Sequence, residues 1–403
     1  MGCLAFATVN TATRPKTYTQ AMLTNLKSKL PHTSTSIFSV MSALAHEHQA
    51  INLSQGFPDF PVDPELINLV EKYMKLGYNQ YAPMPGILEL REILSDIIFQ
   101  QNSYRYDPKT EITITHGATQ AIATAISSTI REGDEVIIFT PAYDCYAPIV
   151  ELNGGTPIFV QLTHPDYSIN WDAFKVQLNH RTRMVILNTP HNPSGTVTSK
   201  DDLQQLQDLL QGSDILILAD EVYEQIVFDD LQHHSVSSFP NLASRSFKIG
   251  SFGKTLHATG WKLGYCAAPE LLMSEFRKIH QYQVFSVNTP MQYAIAEYIS
   301  NENHLKISKN YQTKRDVFLS SIAQSGFRPL ASQGTYFQIL DYSALSEKNE
   351  VDFAEELTIQ HGVASIPISV FYHIPQENHV LRFCFAKGEE TLQKAGKLLS
   401  SLG

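Results

Sequence analysis

Cysteine is scarce in this chain: four in 403 residues, Cys3, Cys145, Cys266 and Cys384, far apart and with no C-x-x-C pair. Neither a disulfide framework nor a cysteine-built zinc site is suggested, and a reducing cytoplasm is the simplest home. Long apolar runs are also missing. Stretches such as Ile215-Leu-Ile-Leu-Ala219 suit buried strands and fall far short of the roughly 20 residues that span a bilayer. Charge is modest at 17%, and the net charge of -10 is spread without basic clusters, which argues against nucleic acid or an anionic membrane as partner. No Walker A loop, dinucleotide G-x-G-x-x-G fingerprint, internal repeat or low-complexity tract is present. The first residues lack the basic start and long apolar stretch of a signal peptide, and Phe6 breaks the myristoylation pattern. Residues 1–25 are expected to form a disordered extension, with Met22 an alternative start.

What is present is a chain long enough for two domains, 43% hydrophobic, with the composition of a soluble globular enzyme acting on small molecules. From about residue 111 to 285, short β-type runs alternate with longer helical stretches, the pattern of an α/β domain on a mostly parallel sheet flanked by helices. Strands are predicted at Ile112–Thr115, Glu135–Phe139, Thr156–Val160, Met184–Leu187, Ile215–Ala219 and Phe247–Gly250. A single long helix is predicted from Met291 to about Ser321, then a strand-rich tail with Thr335–Leu340 and Val380–Phe385, the makings of a smaller α+β domain. The expected division is an N-terminal arm over 26–55 that packs with the small domain, a large domain over 56–290 and the small domain over 291–403.

Lys254 is the most informative residue. In Ser251-Phe-Gly-Lys254 it is flanked by Gly253, hydroxyl residues and apolar positions, an environment that disfavours the ammonium and releases a nucleophilic amine suited to Schiff-base chemistry. Taken alone, a surface lysine in a Gly/Ser loop explains it better. Thr113-Ile-Thr-His-Gly117-Ala118-Thr119 runs from strand through a small-residue turn into a helix and would offer free N–H groups to an anion, although a tight connection explains Gly117 equally. Ser251 and Lys262 could add a hydroxyl and a charge to the same phosphate. Asp220 follows an apolar strand, where open α/β sheets place ligands, and could keep a pyridine nitrogen protonated; a helix N-cap is its alternative. Tyr223 and Asn192 could donate to the ring's phenolic oxygen, and Tyr143 could stack on a flat cofactor, with turn chemistry for Asn192 and a core role for Tyr143 as bland readings. Arg382, in Val380-Leu-Arg-Phe-Cys-Phe385, calls for an anion such as a carboxylate; a structural salt bridge or an edge-strand position fits as well. His46 and His48 point to different faces of a predicted helix and make a poor metal pair, and His233-His234 sit in a polar loop expected to face solvent. No metal site is expected.

Together these segments, with Ile51-Asn-Leu-Ser-Gln-Gly-Phe-Pro-Asp-Phe60, Asn79-Gln-Tyr-Ala-Pro-Met-Pro-Gly86, Asn188-Thr-Pro-His-Asn-Pro193 and Asp220-Glu-Val-Tyr223, resemble the fold-type I, class I aminotransferases that use pyridoxal 5'-phosphate. The match runs from about residue 30 to the end and is especially like the bacterial methionine branch, with kynurenine aminotransferases as relatives. The resemblance implies that Lys254 carries the cofactor, Asp220 pairs with its ring nitrogen, and Asn192 and Tyr223 reach its phenolic oxygen. Gly117, Ala118, Thr119, Ser251 and Lys262 would hold the phosphate, Tyr81 would arrive from a second subunit of a homodimer, and Tyr143 would stack on the ring. Arg382 would bind the substrate α-carboxylate, helped by Asn192 and the backbone near Gly56. Two departures stand out. Lys262 occupies a position where many relatives carry arginine, and Val287 and Asn288 stand where kynurenine enzymes carry an aromatic-histidine pair, which disfavours kynurenine specificity.

The expected reaction is ping-pong transamination from an apolar or aromatic L-amino acid, methionine favoured, to a 2-oxo acid. Phe38, Tyr81 and Tyr143 would make an apolar pocket, and no cation is evident for a second substrate carboxylate. Glutamine, histidine and phenylalanine stay open as donors, as does β-elimination on cysteine conjugates. A DNA-binding regulator built on the same domain is disfavoured, since the leader is too short and insufficiently basic for a binding module.

Overall fold

The apolar runs in the middle of the chain become the strands of one sheet. The computed structural model describes residues 27–31, 33, 35–301 and 307–402, with backbone alone at 307 and 308, and the extension expected over 1–25 lies outside these. In chain order the strands are β1 (Ile51–Asn52), β2 (Ile112–Thr115), β3 (Glu135–Thr140), β4 (Thr156–Gln161), β5 (Thr182–Asn188), β6 (Leu216–Asp220), β7 (Ser246–Ser251), β8 (Gly264–Ala267), β9 (Arg328–Pro329), β10 (Phe337–Asp341), β11 (Val363–Ala364), β12 (Ile366–Pro367) and β13 (Val380–Cys384). Seven of them form the main sheet in the order β2-β8-β7-β6-β5-β3-β4. Only β8 runs antiparallel to its neighbours there. Strands β2, β3, β6 and nearly all of β5 and β7 are buried, as expected of a parallel sheet covered on both faces.

The six predicted strands of this sheet are present, each within two residues of its expected bounds. Strand β8 is an addition: Gly-Tyr-Cys-Ala is too short and too rich in small residues to show a strand period, and it gains its structure by insertion between β2 and β7. The single helix expected from Met291 is corrected to two, Thr289–Ser300 and Ile307–Ser321. The first ends at Asn301, whose short amide competes for backbone hydrogen bonds and favours helix ends over interiors.

A second sheet, β12-β13-β10-β9, is antiparallel and places Arg382 on its inner strand β13, opposite Ile339 of β10 and Ile366 of β12. The helix Ile37–Glu47, capped by Ser36, packs against the helix Glu350–His361 and against β11 and β12. Strands β1 and β11 pair in parallel, and Cys384 N–H donates to the Leu53 carbonyl at 2.8 Å, tying the segment after β1 to β13.

On one face of β7 lies a charge cluster centred on the fully buried Lys248 and Glu221. The Lys248 ammonium donates to Glu221 Oε2 at 2.7 Å and Glu224 Oε2 at 2.6 Å, Tyr265 donates to Glu224 Oε1 at 2.6 Å, and Val236 N–H donates to Glu221 Oε1 at 2.9 Å. His233 Nε2 lies 3.2 Å from Glu221 Oε2 with only a tenth of its side chain exposed. This corrects the expectation that His233 faces solvent: the buried carboxylate draws the imidazole inward. Glu221, Glu224 and His233 are close enough to suit a cation, and the Lys248 ammonium fills that role.

Burial would push the Glu221 carboxyl up, but Lys248 and His233 outweigh it and hold the group below the usual range. Its contribution to stability is therefore present above the ordinary carboxylate pKa and lost as pH falls through the depressed folded value. Lys248→Met should leave two carboxylates facing each other in the core and lower stability by about 3–5 kcal/mol at pH 7.5. In urea unfolding the deficit should shrink as pH falls toward 5, because the stranded carboxylates then take up protons.

Candidate active site

Strands β2, β3, β5, β6 and β7 all end on one side of the main sheet, and the loops that follow them surround a cavity of about 230 Å³. Lys254 lies on a short helical turn, Phe252–Thr255, that begins at the end of β7. Ser251 caps this turn by accepting from Lys254 N–H at 3.3 Å, which leaves the hydroxyl proton free to point elsewhere. The Lys254 amine donates to Tyr336 Oη at 2.6 Å and sits over the rings of Tyr223 and Tyr336. Burial, opposed in part by Asp220, lowers its pKa to about 8, and the nearby cations of Arg382 and Lys262 push the same way.

Asp220 ends β6 and is buried at the cavity wall. Its Oδ2 accepts from Tyr146 Oη at 2.5 Å and its Oδ1 from Val222 N–H at 3.4 Å. The helix that would make it an N-cap does not form; turns follow instead. Burial pushes its pKa up to about 6, with the Tyr146 bond opposing the rise. A carboxylate so placed is an acceptor for a cationic or protonated ring nitrogen.

Arg382 is 1% exposed. It donates to Asn192 Oδ1 at 2.8 Å and to the Ser54 carbonyl at 3.1 Å, its Nε has no partner, and its guanidinium lies 3.9 Å from the centre of the Phe337 ring. No ion pair among the described residues includes it, and its strand is internal to the small sheet, so neither the structural salt bridge nor the edge position applies. Burial lowers its pKa to about 10, which leaves the charge intact at neutral pH. A buried cation with a spare donor, facing a cavity, suits a ligand carboxylate.

The anion cup is built from backbone. Gly117, at φ +77°, turns β2 into the helix Ala118–Thr129, whose first N–H groups have no side-chain cap. Lys262 stands opposite: a Cβ on Gly117 would lie 3.4 Å from its Nζ. The two segments come this close because residue 264 is glycine; a Cβ there would lie 2.7 Å from the Gly250 carbonyl and 3.0 Å from Ala118 N. Free helix N–H groups, the Ser251 hydroxyl and an ammonium together fit a phosphate.

Of the residues singled out from sequence, Phe38, Gly56, Ala118, Thr119, Tyr143, Asn192, Asp220, Tyr223, Lys254 and Arg382 line the cavity; Gly117, Ser251 and Lys262 do not, although Gly117 precedes Ala118, Ser251 bonds to Lys254 N–H and Lys262 lies against Gly117. Tyr81 does not line it either; it is 81% exposed, with its ring edge-on to Phe285. Sequence reasoning passed over Tyr146, Asn188, Tyr336 and Phe337. Asn188 carried a readable signal, since it ends β5 as Asp220 ends β6; its amide donates to the Asp220 carbonyl and its Oδ1 accepts from Asn192 N–H, both at 2.8 Å. Asn288 accepts from Met291 N–H at 3.1 Å and so caps the helix Thr289–Ser300, and Val287 is buried.

A doubly wound sheet with a lysine of lowered pKa, a buried carboxylate and an uncapped helix end at its strand ends suits an enzyme of amino-group chemistry, a transaminase. The family model for class I and II aminotransferases matches residues 48–397, and the chain belongs to that family, whose members use pyridoxal phosphate. The methionine aminotransferase of Escherichia coli is 46% identical over 378 residues, covering 93% of this chain and 98% of its own length. Human kynurenine–oxoglutarate transaminase 1 is 35% identical, covering 87% of this chain and 92% of its own length. A crystal structure from Escherichia coli, described as identifying a methionine aminotransferase function, superposes with a TM-score of 0.92 at 46% identity over 94% of this chain and 99% of that one. The N-succinyldiaminopimelate aminotransferase of Mycobacterium tuberculosis superposes at 0.90 with 34% identity, covering 94% and 100%.

The raised pKa of Asp220 has a thermodynamic consequence. Above pH 6 the folded protein holds a carboxylate that water would hold more cheaply, while below the ordinary value of 3.8 the group is protonated in both states. Asp220→Asn should therefore stabilise the cofactor-free protein by about 3 kcal/mol at pH 8. The gain, read from thermal unfolding, should fade as pH drops through 6 toward 4.

Proposed function

We propose that this transaminase binds pyridoxal 5'-phosphate through Lys254 and takes the amino group of an apolar or aromatic L-amino acid, methionine foremost, to a 2-oxo acid by a ping-pong mechanism. The observation that carries the reading is that one cavity holds an amine with a pKa of about 8, a buried carboxylate, an uncapped helix end and a buried guanidinium whose Nε has no partner. Each is uncomfortable alone, and each fits one part of the cofactor and its amino acid.

In this reading Gly117, Ala118, Thr119, Ser251 and Lys262 hold the phosphate, Asp220 the ring nitrogen, Asn192 and Tyr223 the phenolic oxygen, and Tyr143 the ring face. When bound, the cofactor supplies a carbonyl carbon for the amino group and an electron-withdrawing ring that acidifies the substrate α-carbon. Lys254 takes the α-proton and returns it, a role suited to an amine that is partly neutral near pH 8. Arg382 binds the α-carboxylate with Asn192 and the backbone near Gly56 and orients the α-hydrogen toward that amine. Burial of Asp220 beneath Tyr146 excludes water from the ring nitrogen's partner.

The side-chain preference rests on the walls and on a relative. Phe38, Ile122, Val222 and Phe337 offer apolar contact, and Asp144 lies close enough to Arg382 for their charges to interact, which disfavours a donor with a second carboxylate. The methionine aminotransferase relative supports a thioether donor. Asn288 in a capping role is consistent with a pocket unlike the kynurenine one.

A homodimer in the cytoplasm completes the reading. Tyr81, Phe285 and Tyr282 expose aromatic surface on one chain, as expected if Tyr81 serves a partner's cavity, and the described cysteines are all free thiols. The arm over 26–55 and residues 291–403 would form the small domain beside a large one over 56–290. Light scattering should return twice the chain mass.

Purified protein should be yellow, borohydride should fix the cofactor to Lys254, and Lys254→Ala should lower turnover by about 10²–10⁴-fold. A panel of donors against one 2-oxo acid should rank methionine and aromatic amino acids above aspartate. Near wild-type turnover in Lys254→Ala would sink the reading.

A further inference from the structure

Tyr336 belongs to neither the anion cup nor the ring-binding set, yet its hydroxyl lies at the reactive amine. The side chain is fully buried. Its oxygen is 2.6 Å from Lys254 Nζ and 2.6 Å from the Gly56 carbonyl oxygen. A tyrosine hydroxyl has one proton and two lone pairs. The Gly56 carbonyl can only accept, so the single proton of Tyr336 goes there. Toward Lys254 the hydroxyl is then an acceptor.

We propose that Tyr336 is a positioning residue that docks the Lys254 amine whenever it is not covalently engaged, its own proton committed to Gly56 so that it always accepts from the lysine. The proposal rests on the reading of Lys254 as the cofactor-bearing lysine. It gives the amine a fixed station between its two tasks, and a bond into an acceptor leaves the nitrogen's remaining valence aimed away from Tyr336. It also joins the amine to the carboxylate end of the site. Gly56 follows Ser54 by two residues, and the Ser54 carbonyl accepts from Arg382. One loop thus touches both the reactive lysine's partner and the residue assigned to the substrate carboxylate.

Tyr336→Phe tests this, since the ring contacts with Tyr223, Tyr311 and Phe337 are kept and only the hydroxyl is lost. In cofactor-free protein, carbamoylation of Lys254 by cyanate, followed across pH by peptide mass spectrometry, reports titration of the amine. Loss of an acceptor for the ammonium should move the midpoint down by about 1 pH unit. In holoenzyme, kcat should fall about tenfold while the donor KM stays within about twofold, because Arg382 and Asn192 are untouched. Tyr311→Phe, which removes the neighbouring hydroxyl bonded to His257, should change neither quantity. An unmoved midpoint in folded Tyr336→Phe, or a kcat loss matched by an equal rise in KM, would overturn the proposal. If borohydride instead fixed the cofactor to another lysine, the wider reading would fail, while the cyanate midpoint would still report on the Tyr336 bond.

Discussion

Everything at the strand ends depends on one constraint: an amine, a carboxylate and a guanidinium are kept out of bulk water within a single cavity, without being allowed to pair off with one another. Left to themselves, Lys254 and Asp220 would collapse into an ion pair and neutralise the site. The protein prevents this by giving each group a neutral partner. Tyr336 receives the amine, Tyr146 and the Val222 N–H serve the carboxylate, and Asn192 with the Ser54 carbonyl serves the guanidinium. Neutral partners satisfy hydrogen bonds without cancelling charge, so the charge stays available to a ligand.

Such partners lie far from one another in sequence, and this decides what could be read in advance. Charged or polar residues at the ends of apolar runs, such as Asp220 at the end of β6 and Lys254 after β7, announce themselves locally, as does the small-residue turn at Gly117. Arg382 was conspicuous as a charge in an apolar strand, but only the pairing of β13 between β10 and β12 removes the edge alternative. Tyr336 reads as one more aromatic in a strand-like stretch, and nothing within 82 residues hints at Lys254. Strand β8 has no period of its own, and the break near Asn301 turns on a helix end that a polar pattern hides.

Lys248, a lysine between Phe247 and Ile249, is as conspicuous in the sequence as Arg382. Its partners Glu221 and Glu224 come from the segment that carries Tyr223. The loop after β6 is therefore anchored from behind by full ionic pairing and faces forward with groups held short of it. Rigidity on one side lets the other side keep its charges apart.

Asp220 and Glu221 are neighbours on one extended segment and point to opposite faces of the sheet, one into the cavity and one toward Lys248. A slip of β6 by a single residue against β5 and β7 would exchange them, setting a longer acid in the cavity and leaving the lysine a shorter one in place of Glu221. The pairing register of this one strand is thus checked twice, by the chemistry in front and by the electrostatics behind. Misregistered chains would fail on both counts at once, so the alternation of two acids also guards the strand order.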